Sequence, residues 1–176
     1  MRALSDLDPS EKYDRISAAL RDDNRSSVAL HIDGTDAFGC SVLLGADLVA
    51  KPPEMGWHAV TNDWSLNLRS TQLTKVAHHG SKENFDEEVW NRLTDPGSML
   101  LVAPFWNGKK SIPKADDILR MSRYGQVHLA TRRTKPKKIN GHKRYPQVEV
   151  GAVQARRRAG EDTWRVRHYS PAYAVS

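Results

Sequence analysis

The stretch Leu73–Phe85, "LTKVAHHGSKENF", decides how this chain is read. Two adjacent imidazoles, His78 and His79, close an apolar run, and Gly80 and Ser81 follow. Ligand-type side chains at a rigid strand end, beside a glycine that lets the backbone turn sharply, form a platform suited to a metal ion. The segment "SVLLGAD", residues 41–47, delivers Asp47 in the same way just past an earlier apolar strand. Neighbouring strand residues point to opposite faces, so a regular strand end sends one of His78 and His79 to the site and leaves the other to orient or pack. A histidine pair also suits a surface or a satisfied core, and an aspartate after a strand suits a turn or a helix cap. Spacing alone leaves these readings open.

Outward from this stretch, strands and helices alternate. "SSVALHIDG" alternates Val28, Leu30 and Ile32 against Ala29, His31 and Asp33, which predicts a half-buried strand, and "CSVLLGAD" returns beside it as a hairpin. "KPPEMGWHAVTNDW" opens on a proline break and holds a short helix. "TKVAHH" reads as a third strand. "DEEVWNRL" reads as a helix with Val89, Trp90 and Leu93 on one face. "SMLLVAPF" suits a strand buried on both faces. "PKADDILRMSRYG" is a helix with Ile118, Leu119 and Met121 apolar, ended by Gly125, and "QVHLAT" is a fifth strand. "QVEVGAVQARR" and "TWRVRHYS" form a terminal hairpin turning at "AGED". At the other end, "DPSEKYDRISAALRDD" reads as a capped helix. The pattern predicts a mixed α/β layer protein.

Composition narrows the class. The chain has 176 residues, 39% hydrophobic and 27% charged, with a net charge of +6. That supports a real core and permits an anionic partner. Cys40 is the single cysteine, so no internal disulfide forms, which fits a reducing, cytoplasmic compartment. No run approaches the roughly 18 apolar residues of a membrane span, so no membrane partner is expected. The first residues lack the apolar core of a signal peptide.

The order "NRSSVALHI…CSVLLGADL…GWHAV…LTKVAHHGSKENFDEEVWNRL", continued by "PFWNGKKSIPKADDILRM" and "VHLATR", resembles the C-terminal half of a metallo-β-lactamase-fold hydrolase. The nearest likeness is to the branch holding the hydrolase domain of competence-type DNA-uptake proteins, and it covers roughly residues 24–135. The resemblance implies half of an αββα sandwich, a mixed sheet with helices on one face. It implies that Asp47 is the metal-bridging aspartate and that His79, directly before the turn, is a metal ligand in preference to His78. It implies zinc or manganese as cofactor, with Asp47 and His79 as the catalytic pair. In this chain Asp47 follows "GA" where the family has "TG", and Ile112-Pro113 stands where many relatives have His-Pro. The family's first metal-binding motif, His-x-His-x-Asp-His, is absent: none of the seven histidines is separated from another by one residue. Asp47 and one histidine cannot hold two metals. A split or truncated enzyme and a degenerate, non-catalytic module both fit.

The stretch "RRTKPKKINGHKR", residues 132–144, has seven Lys or Arg in thirteen positions: Arg132, Arg133, Lys135, Lys137, Lys138, Lys143 and Arg144. It reads as a surface for nucleic acid or an anionic substrate. It reads equally as a solvated loop and charged edge hairpin.

The expectation is therefore an N-terminal helix over 1–23, a half domain over 24–135 and a basic C-terminal hairpin extension over 136–176. The expected activity is metal-dependent hydrolysis of a phosphodiester or other anionic ester, with a binding module for nucleic acid or protein as the alternative. Asp47 and His79 should converge to within about 10 Å at one sheet edge. A half-fold leaves an apolar sheet face open, here Val28, Leu30, Val42, Leu44 and Val76. Since burial stabilises by roughly 25 cal/mol per Å², a partner chain carrying the His-rich motif, or a homodimer, should cover it.

Overall fold

The computed structural model describes residues 27–34, 40–50, 56–63, 68–82, 85–106, 110–131, 137–139, 142–144, 151–158, 160–161 and 163–175. The predicted helix over 1–23 lies outside them. The protein is a mixed α/β structure around one six-stranded mixed sheet. In chain order its strands are β1 (Leu30–Asp33), β2 (Ser41–Leu44), β3 (Thr71–Lys75), β4 (Thr94–Val102), β7 (Gly125–Leu129) and β12 (Tyr173–Ala174), and they lie side by side in that order. The β1–β2 hairpin is antiparallel, as the alternating pattern predicts. Strands β2, β3, β4 and β7 run parallel, and β12 closes the far edge antiparallel to β7.

Three short helices make the crossovers: α1 (Gly56–Asn62), α2 (Glu87–Leu93) and α3 (Ala115–Met121). Register fixes which sheet face they cover. Leu43, Thr74, Leu100 and Val127 are partners across the four parallel strands and therefore share a face. Against it pack Trp57 of α1, Val89, Trp90 and Leu93 of α2, and Met121 of α3. Asp86 caps α2 by accepting from the Glu88 and Val89 amides. Leu119, expected on the buried stripe of α3, is 67% exposed: it sits about 100° round the helix from Ile118, off the Ile118–Met121 line. Gly125 starts β7 rather than ending α3, and a Cβ there would fall 1.9 Å from the Ser98 carbonyl oxygen.

The opposite face is covered unevenly. At the β7 end it meets the terminal hairpin, β10 (Ala152–Arg156) and β11 (Arg165–Tyr169), which the sequence predicts. His168 bonds His128 across this contact at 2.9 Å, and Arg157 donates to Gln72 at 2.8 Å. At the β1–β2 end the face is open: Val28, Leu30, Ile32 and Leu44 are exposed. Val76, expected on that open face, is instead fully buried in the helix-side core with Leu100 and Val102, because it lies two residues past Thr74 and alternation puts it on the face that Thr74 and Leu100 share. Two small antiparallel hairpins complete the described elements, β5 (Phe105–Trp106) with β6 (Ser111–Ile112), and β8 (Lys137–Ile139) with β9 (His142–Arg144). Among the described residues no helix is long and apolar enough to cross a membrane.

Candidate functional site

The site lies where β2 and β3 run out together. Their parallel register, Val42 with Leu73 and Leu44 with Lys75, brings the next residues of both chains alongside. The Gly45 amide donates to the Lys75 carbonyl at 3.0 Å, and the His78 amide donates to the Ala46 carbonyl at 3.0 Å. These two bonds tie the Asp47 turn to the histidine turn. Gly45 makes the approach possible, since a Cβ there would lie 2.8 Å from the Ala77 Cβ. Leu48, buried behind Asp47, anchors the far side of the turn.

His78 and His79 are not on a strand, as the sequence suggests, but in a 3-10 turn over Ala77–Gly80. Both are left-handed, with φ of 43° and 57°, and so is Ala46, with φ of 46°. Among the described residues these are the non-glycine positions with positive φ, and all three flank one junction. Such conformations cost roughly 1–2 kcal/mol for a residue with a Cβ, and they concentrate at functional sites.

The two rings part company. His79 Nδ1 lies 2.7 Å from the Ala103 carbonyl oxygen. A carbonyl only accepts, so Nδ1 carries the proton, and Nε2 faces Asp47 Oδ1 at 3.9 Å. Phe105 stacks on the His79 ring at 5.1 Å and fixes its plane. His78 turns its Nδ1 to the buried Ser81 hydroxyl at 3.2 Å. Ser81 is therefore an imidazole partner, and the cap of the following helix is Asp86. Lys75, half-buried beside them, donates to the Val76 carbonyl. Burial pulls its ammonium below the usual lysine range, and the nearby Asp47 carboxylate opposes that shift.

A cation suits the space between Asp47 and His79. An imidazole lone pair facing a carboxylate needs a positive charge between them, supplied by a proton or by a metal. Zinc bonds to imidazole nitrogen and carboxylate oxygen of about 2.1 Å, at the tetrahedral angle, would set the two ligand atoms about 3.4 Å apart, so the pair at 3.9 Å would close slightly around one. The Ala103 bond is the outer support that metal-ligating histidines use. Two ligands do not complete a site: no group of three or more His, Cys, Asp or Glu among the described residues is placed to hold a metal. The other described histidine side chains serve elsewhere. His31 bonds the Arg69 carbonyl, His58 pairs with Asp86 at 3.3 Å, and His128 bonds His168.

Of the predicted basic residues, Arg132, Arg133 and Lys135 lie outside the described residues. The β8–β9 register sets Lys137 opposite Arg144 and Lys138 opposite Lys143. Lys75, Phe105 and Ala103 escape the sequence reading. The one available signal was Lys75, a charge in the otherwise apolar run before the histidines; a backbone carbonyl such as that of Ala103 has no residue signature. No protein-family model, curated protein or solved structure matches the chain.

Proposed function

We propose that the chain is the C-terminal half of a metallo-β-lactamase-like, metal-dependent hydrolase, and that Asp47 and His79 hold one side of a zinc or manganese site. The observation that carries this reading is the His79 ring, protonated at Nδ1 by its bond to Ala103 and presenting Nε2 to Asp47. A metal bound there would supply Lewis-acid polarisation of an ester and activation of water. The chain's own residues do the positioning. Ala103 and Phe105 hold the His79 ring, and the Gly45 and Ala46 backbone bonds hold Asp47 beside it. Lys75 stands next to the carboxylate with a partly desolvated ammonium, suited to an anionic ester oxygen, and this favours a phosphodiester or similar substrate.

The remaining ligands come, on this reading, from a partner chain carrying the His-x-His-x-Asp-His motif. The open apolar end of the sheet, at β1 and β2, is where the second layer of an αββα sandwich would pack. A non-catalytic module that binds nucleic acid or protein is the second reading, favoured by the two-ligand count. Zinc titration of the full chain separates them. The hydrolase reading expects weak binding that is lost in His79→Gln and tightens on addition of the motif-bearing chain. Binding indifferent to His79 and to that chain favours the module.

A further inference from the structure

We infer that the outward face of the β10–β11 ribbon binds single-stranded nucleic acid, with Arg156, Arg165 and Arg167 on phosphates and Tyr169 stacking on a base. The register carries the inference. Arg156 pairs with Arg165, Gln154 with Arg167, and Ala152 with Tyr169, so these six share one face. The other face holds half-buried Val153, Ala155 and Val166, with His168 reaching His128 in the main sheet. Alternation therefore lines up Arg165, Arg167 and Tyr169 along one strand in steps of about 6.8 Å. All three are exposed, as is Arg156 across from Arg165.

The charge on this face is neutralised only in part. From Ala152 to Tyr169 there are five arginines against two acids, Glu161 and Asp162. Arg165 pairs with Glu161 at 2.7 Å, while Arg157 is turned away from the outer face to Gln72. Phosphate is the complementary ligand for exposed guanidinium groups. The aromatic decides which phosphate source. Tyr169 is 48% exposed, with its hydroxyl 3.4 Å from the Gln154 side-chain oxygen. That bond steadies the ring while a face remains accessible. A base-sized stacking surface in a basic row is the arrangement that grips unpaired nucleotides. A duplex keeps its base faces hidden. A membrane surface would call for an apolar strip, and this face offers Ala152 and Gln154 beside the single ring.

The surface is separate from the Asp47–His79 pair, so its test is run without metal. Anisotropy of a labelled oligothymidylate is measured with the full chain in EDTA across a salt series. Three arginine contacts predict a log–log salt slope of about −2, at roughly 0.7 per phosphate neutralised. Arg165→Gln with Arg167→Gln should reduce that slope by about 1.4 and weaken binding. Tyr169→Ala should weaken binding roughly tenfold with the slope unchanged, and Tyr169→Phe should bind like the parent. Unchanged far-UV circular dichroism verifies that the variants are folded. The salt slope of the unaltered chain tests the inference if a variant is not. Absent binding at low salt, a slope near zero, variants equal to the parent, or equal capture by phosphatidylserine vesicles would each overturn it.

Discussion

At the scale of single residues, the junction of β2 and β3 is held in conformations that the chain would otherwise avoid. Ala46 has no side chain able to compensate for its left-handed backbone. Ala46→Gly should stabilise the protein by up to about 1 kcal/mol, the relieved strain exceeding the entropy that glycine adds to the unfolded chain. Urea denaturation measures it, and zinc binding should be unchanged. A second residue-scale prediction concerns His128, 2% exposed, with His168 beside it, Leu101 on β4 and Ala174 on β12 as strand neighbours. Burial first, and then the His168 charge, push its imidazole below the usual value of about 6.5. The folded state thus prefers the neutral ring. This contribution is fully present above the ordinary histidine value and is lost as pH falls below it toward the lowered folded value. The melting temperature should drop between about pH 7.5 and 5.5, and His128→Phe should flatten that dependence. Asp47 and the histidine pair were legible in the sequence because their side chains carry the chemistry. The choice between the two rings was not, because it rests on a left-handed turn and on a backbone carbonyl, that of Ala103, 24 residues further along the chain.

At the scale of elements, the strands and helices were legible wherever an apolar period ran long enough. The hairpin of β1 and β2, the helix α2 and the terminal hairpin β10–β11 follow their patterns. Boundaries moved where side-chain bonds overrode the pattern. The Ser98 hydroxyl donates to the Thr71 carbonyl, and Thr71 pairs with Thr94, so β4 begins at Thr94 and not at Ser98. Two-residue strands such as β5, β6 and β12 have no period to read. Close approach of elements supplies a test. Gly45→Ala would drive a methyl group into Ala77, so it should cost roughly 1–3 kcal/mol and weaken zinc binding by separating the two turns. The α3 start gives another. Asp117 is buried, accepts the Lys114 amide at 2.9 Å and holds Arg120 at 2.7 Å. Asp117→Ala should destabilise by about 1–3 kcal/mol, read by thermal or urea unfolding, with zinc binding unchanged.

At the scale of the whole molecule, one sheet carries a finished side and an unfinished one. Helices cover the first. The terminal hairpin covers the β7 end of the second, and Leu30 and Ile32 stay about half exposed at the β1 end, at 51% and 47%. The sequence forecast an open face but not its partial cover, since no pattern in β10 and β11 says where a hairpin docks. If a partner layer packs there, Leu30→Lys with Ile32→Lys should abolish association in light scattering while leaving the monomer folded. An association unaffected by the lysines places the interface elsewhere. Whether His79 offers Nε2 to a metal shared with Asp47, as proposed, is read directly by nitrogen NMR. Long-range proton–nitrogen correlation of the imidazoles, recorded on the full chain before and after zinc, reports each ring's tautomer and any ligation. His79 should be protonated at Nδ1, and zinc should shift its Nε2 in a way that is lost in Asp47→Asn. A His79 ring that carries no proton at Nδ1, or one unmoved by zinc, would contradict it.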